Sequence, residues 1–98
     1  MYGLISRIRA MPGQRAALAA VLVQEDGTMP GCLSYVVAED RSDADVLWVT
    51  EAWIDEAAHK ASLALPQVQA AIAKGRPLIA GFDSQVATRV LGGIGLRG

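Results

Sequence analysis

Val46-Leu47-Trp48-Val49-Thr50-Glu51-Ala52-Trp53, running directly into Ile54-Asp55-Glu56-Ala57-Ala58, is the stretch on which the fold turns. Val, Trp and Thr suit a pleated, packed surface. Strand alternation puts Leu47, Val49, Glu51 and Trp53 on one face and Trp48, Thr50 and Ala52 on the other. Both faces therefore carry apolar side chains. A sheet wet on one side reads polar on that side, so this strand predicts a sheet covered on both. Asp55 can accept from the first free backbone N–H groups of a helix, which marks it as the N-cap of one beginning at Glu56.

Toward the N-terminus, residues 39–45 form a polar, acidic hairpin connection. Cys32–Glu39 reads as a second strand, with Leu33, Tyr35 and Val37 sharing a face. Pro30-Gly31 closes a loop over residues 26–31. In residues 14–25, Ala17, Leu18, Val21 and Leu22 form the apolar stripe of a helix. Tyr2–Ala10 is a strand with Leu4, Ser6 and Ile8 on one face and Ile5, Arg7 and Arg9 on the other. Met11-Pro12-Gly13 separates it from the helix.

Toward the C-terminus, the alanine-rich helix from Glu56 runs to about Leu65 and is interrupted by Pro66. A further helical piece carries Val68, Ala71 and Ile72. Gly75 fits the left-handed position that ends a helix, and Pro77 blocks continuation. Alternation resumes over residues 78–91 as a last strand. The expectation is an α+β, ferredoxin-like domain over residues 1–91, of pattern β-α-β-β-α-β with a four-stranded antiparallel sheet. Residues 92–98 form a flexible glycine-rich tail. Helices cover one face of the sheet, and a sheet from a second copy is the economical cover for the other. The chain is expected to be a homodimer.

Composition narrows the function classes. The 98 residues suit one hydrophobic core, and 52% of them are apolar, a high share for so short a chain. Such surplus apolar surface favours an oligomer interface. Net charge is −1 with no basic stripe, so no nucleic-acid partner is expected. The single cysteine, Cys32, excludes an internal disulfide and suits a reducing compartment. It reads as a small buried apolar residue rather than a nucleophile. No leader-like start and no long uncharged apolar run is seen, so neither a signal peptide nor a membrane span is expected, and the location expected is cytoplasmic. One histidine and one cysteine are too few to build a zinc site from. No phosphate-cradling glycine loop or nucleophile elbow is present.

Pro30-Gly31-Cys32-Leu33-Ser34-Tyr35 at a strand entry, then Glu51-Ala52-Trp53-Ile54-Asp55-Glu56-Ala57 at a strand-to-helix junction, resembles the antibiotic biosynthesis monooxygenase family. Pro12-Gly13 matches the family's start of its first helix. The resemblance spans residues 2–88. It implies a dimeric α/β barrel made of two ferredoxin-like sheets face to face. It also implies oxygenation of an aromatic or quinol-type small molecule with no metal, flavin or other cofactor. The alternative is a small-molecule-binding or stress-response barrel without catalysis.

The resemblance places the family's tryptophan on Trp53, a candidate catalytic residue, and its tyrosine on His59, a candidate acid or base near neutral pH. The family's asparagine falls on Val49, which can line a substrate site but not hydrogen-bond within it. An arginine of the family has no firm match; Lys74 and Arg76 are the nearest cations. Family histidines fall on Ser62 and Gln67. Tyr35 and Arg7 complete the candidate substrate contacts. Each has a structural reading beside the functional one: Trp53 as a core anchor, His59 as a solvated helix residue, Tyr35 as core. Arg7 and Arg9 read equally as edge or interface charges, with Glu51 placed to pair with one of them across the sheet.

Overall fold

A computed structural model of the chain describes residues 1–23 and 29–96. In order these are β1 (Tyr2–Ala10), α1 (Arg15–Leu22), β2 (Cys32–Glu39), β3 (Val46–Trp53), α2 (Glu56–Ser62) and α3 (Pro66–Gly75). A 3₁₀ turn (Arg76–Leu78) then leads into β4 (Ile79–Arg89). The sheet has four strands in the order β2-β3-β1-β4, every neighbouring pair antiparallel. The chain is thus α+β and ferredoxin-like, with the second helix of the motif divided at Pro66.

Register explains which residues meet the helices. Leu4, Ser6 and Ile8 of β1 lie opposite Glu51, Val49 and Leu47 of β3. Leu4, Ile8, Leu47, Val49 and Trp53 are buried on that face, and α1 drives Leu18 into it, 0% exposed. Ile8, Ala10, Leu18, Leu47 and Val49 form the centre of the core, with Val37, Leu78 and Ile79 packed around it. Each such aliphatic side chain contributes about 1.5–3 kcal/mol by leaving water. Arg15 ties α1 to the β2–β3 hairpin by donating to the carbonyl oxygens of Asp40 and Asp43, at 3.1 and 2.9 Å.

The other face carries Ile5, Arg7 and Arg9 with Trp48 and Thr50, and no helix among the described residues covers it. Val36 and Val86 are 54% and 52% exposed. The β1–β4 register shifts between Arg7 and Ile8, leaving Asp83 as the extra residue between Phe82 and Ser84. That bulge sets Asp83 against both arginines, with Arg7 Nη1 at 2.5 Å and Arg9 Nη2 at 2.8 Å from Oδ2. Arg9 also reaches Asp43 at 3.0 Å, and Arg7 lies 5.7 Å from the centre of the Trp48 ring.

Several expectations need correction. Gly75 is not left-handed: φ is −77° and ψ −31°, inside the helical region. The chain winds straight on into the 3₁₀ turn, where Pro77 sits early enough that its missing N–H costs nothing. Nor does packing demand glycine there, since a Cβ would lie 3.5 Å from Leu18 Cδ1, an ordinary contact distance. The last strand accordingly starts at Ile79 rather than at 78. α2 ends at Ser62, short of Leu65, in turns donated by Leu63, Ala64 and Leu65 to the carbonyls three residues earlier. Leu65 must be extended because Pro66 follows, and it is, at ψ 138°. Glu51 cannot pair with Arg7 or Arg9, because its register partner is Leu4 and it faces the helices instead. α1 is helical to Leu22; the expected helix end at residue 25 and the start of the following loop lie outside the described residues.

Candidate functional site

The helices do not close completely on the sheet. Between them lies a cavity of about 680 Å³, within the range of small-molecule sites. Its floor comes from Leu4, Ser6 and Ile8 of β1, Tyr35 of β2 and Val49 of β3. α3 covers it with Val68, Ala71 and Ile72, and Phe82 and Gln85 of β4 close one side. Gln85 Nε2 donates to Ser6 Oγ at 3.3 Å, which occupies a polar pair in the middle of the floor.

One end of the cavity is chemically distinct. There the end of β3 and the start of α2 bring Glu51, Trp53 and His59 together beside Tyr2. The junction that does this is locally determined. Asp55 is extended (φ −160°, ψ 172°) and its Oδ1 accepts from Ala58 N at 2.8 Å, so α2 starts where the sequence predicts. Ile54 N donates to the carbonyl of Gly31 at 2.9 Å, which fixes the junction to the entry of β2. Gly31 is required there: φ is +81° and a Cβ would meet that of Ala58 at 2.7 Å. One helical turn past Asp55, His59 is directed back over the sheet.

Trp53 is 1% exposed. Its Nε1 donates to Glu51 Oε1 at 3.1 Å, which satisfies the buried indole. His59 meets the edge of the Trp53 ring at 5.4 Å between centroids and the Tyr2 ring at 5.6 Å. Its Nε2 lies 3.9 Å from Glu51 Oε1. Burial pushes the Glu51 carboxyl above its ordinary value, while the hydrogen bond from Trp53 and the nearby His59 oppose that rise.

Of the residues singled out in the sequence, Trp53, His59, Tyr35 and Val49 line this one cavity. Arg7 does not; it lies on the opposite face of the sheet, engaged with Asp83. Arg76 lines the cavity and makes no ion pair with a described residue, whereas Lys74 does not line it; both are exposed. Ser62 also lines the cavity, its hydroxyl donating to the carbonyl of His59 at 2.6 Å. Glu51 and Tyr2 were not among the site residues expected. The signal for Glu51 was its place on the same strand face as Trp53, two positions away. Cys32 is half-buried and its Sγ donates to the Ser34 carbonyl at 3.6 Å. Among the described residues no group of three or more His, Cys, Asp and Glu is placed to hold a metal ion, and no helix is long and apolar enough to cross a membrane.

The family model for antibiotic biosynthesis monooxygenase matches residues 1–74. Among solved structures, the chain is similar to a Chloroflexus aurantiacus protein provisionally named an antibiotic biosynthesis monooxygenase. Identity is 58%, coverage 97% of each chain and TM-score 0.93. A Deinococcus radiodurans protein of the same provisional name is 29% identical, with 100% of each chain covered and a TM-score of 0.78. A Pseudomonas aeruginosa protein at 24% identity, covering 93% of this chain and 94% of its own, shares the fold with a TM-score of 0.81. No protein of curated function matches the chain.

Proposed function

The chain belongs to the antibiotic biosynthesis monooxygenase family, and from that premise we propose that it oxygenates an aromatic or quinol-type small molecule in the cavity between sheet and helices, without metal or flavin. The observation that carries this reading is the convergence of Trp53 and His59 at one end of a cavity whose remaining walls are mostly Leu, Ile, Val and Phe, with Ser6, Gln85 and Arg76 as polar interruptions. An electron-rich ring binds such walls, and its hydroxyl or activated C–H would lie at the polar end. Once deprotonated, the substrate itself supplies electrons to O₂. For an anthrone-type CH₂ the change balances: a carbon–oxygen double bond and two O–H bonds form, two C–H bonds and the O–O bond break, and the second oxygen leaves as water. Exclusion of water and proton exchange by His59 are what the protein contributes. A homodimer, joined through the uncovered sheet face, is part of the same proposal.

Oxygen uptake by metal-free protein over a panel of quinols and anthrones tests it. Turnover is expected, with His59→Ala lowering kcat/KM by about a hundredfold, the usual contribution of a positioned proton carrier. No turnover across the panel, or unchanged turnover in His59→Ala, overturns it. Val49, where the family has an asparagine, favours a second reading, ligand binding without catalysis. Thermal stabilisation by a panel member with no oxygen consumed would select that reading.

A further inference from the structure

We propose that Glu51 is the proton-carrying group inside this cavity and that His59 is its route to solvent. The inference deepens the oxygenase reading, which requires a group to take the ligand's proton. It stands on a feature that reading does not use.

Glu51 projects from near the end of β3 onto the helix face, between Leu4 of β1 and Tyr35 of β2 in the sheet register. Its side chain is 12% exposed. A strand position facing a core does not tolerate a carboxylate cheaply, and a hydrophobic residue would suit the alternation better. A carboxylate so placed is normally neutralised by a bidentate arginine, yet Arg7 and Arg9 lie across the sheet, bound to Asp83 and Asp43. What faces Glu51 is different. Trp53 gives one hydrogen bond to Oε1 and His59 Nε2 stands 3.9 Å from the same oxygen, the spacing of a charge contact and not of a hydrogen bond. No described residue donates to Oε2, which is left for a donor on a ligand.

The other ionisable groups around it are Tyr2 from β1, Tyr35 from β2 and Arg76 beyond α3, all lining the same cavity. On β4, Arg89 stands at the register of Tyr2 but is exposed. On α2, Lys60 and Glu56 are exposed and 3.9 Å from each other.

The proton step is simple. The ligand's O–H bond breaks, an O–H bond forms at Glu51, and the electron pair stays on the ligand oxygen. Once side-chain rotation closes the 3.9 Å gap to hydrogen-bond distance, the proton passes from Glu51 to the imidazole of His59, whose side chain is 17% exposed and reaches toward water.

The two tryptophans provide the test, because each indole N–H donates to a carboxylate and reports its ionisation. Trp53 reports Glu51. Trp48 Nε1 donates to Asp40 Oδ2 at 2.8 Å, and that hydrogen bond with those from the Asp43 and Ser42 backbone holds Asp40 down to about 2. In ¹H–¹⁵N spectra of the free protein, the Trp53 indole resonance is expected to move with an inflection above pH 4.5, the ordinary value of a glutamate. Glu51→Gln should remove this inflection from the Trp53 indole and leave the Trp48 indole unmoved, which also shows that the variant is folded. Glu51→Asp should restore it. An inflection at or below the ordinary glutamate value, or one that survives in Glu51→Gln, overturns the proposal.

With a turned-over substrate, Glu51→Gln should lose the acidic limb of the pH–rate profile and about a hundredfold in kcat/KM; an unchanged profile also overturns it. If the wild type turns over nothing, the oxygenase reading fails alone, and the titration still decides the role of Glu51.

Discussion

At Glu51, burial and charge oppose each other, and folding stability should register the conflict. The folded carboxyl holds its proton to a higher pH than the unfolded one. Between the two values the folded state therefore binds more protons, so stability falls as pH rises through this window. Below the unfolded value both states are protonated and the penalty is absent. Glu51→Gln removes the ionisation but keeps an oxygen able to accept from Trp53 Nε1. Its melting temperature should exceed that of the wild type at pH 7, and the gap should close below about pH 4, under the ordinary value of a glutamate. Thermal unfolding followed from pH 3 to 8 reads this directly. A wild type more stable than the variant at neutral pH would mean that His59 compensates the buried charge fully. Asp40 runs in the opposite direction, because backbone and indole donors favour its ionised form.

Among the elements, the strands were the most legible part of the sequence. The bounds of β1, β2 and β3 follow from two-residue alternation and the polar or Pro-Gly breaks between them, and these are local signals. The split at Pro66 and the Asp55 cap were legible for the same reason. Gly75 was not. A glycine two residues before a proline carries the signature of a helix stop, yet the backbone there stays right-handed because Pro77 fits the start of a further turn. This difference is measurable. Gly75→Ala places a methyl in ordinary contact with Leu18 and Val21, at 3.5 and 3.8 Å. With a helical φ and room for the methyl, the variant should gain about 0.4–1 kcal/mol through the unfolded state. Urea unfolding showing instead a loss of about 1 kcal/mol or more would restore the left-handed geometry. The site was legible only in part, for a related reason. Trp53 and His59 stand next to one cap and one strand end. Whether Glu51 or Arg7 joins them depends on register across β1, β3 and β4, which is a long-range property.

For the molecule as a whole, the sheet has two faces with different uses. The cavity lies on the helix side and is walled by residues of one chain. The other side presents Val36, Val86, Ile5 and Trp48 around a group of two arginines and two aspartates that already pair within the face. The charges of that group cancel, so the face can be covered without stranding an ion. Those properties support the homodimer. Sedimentation at micromolar concentration should give a dimer. Val86→Asp should weaken it, because each copy would then bury a carboxylate without a partner. At about 2–5 kcal/mol for such a charge, association falls by about thirtyfold or more. A wild type that sediments as a monomer would remove the dimer and leave the cavity in place. The converse separates the two faces as well. If Val86→Asp is monomeric yet still binds or oxidises the same ligand, the site is complete within one chain. If it loses both together, the second sheet is needed to hold β1 and β4 in the register that shapes the cavity floor.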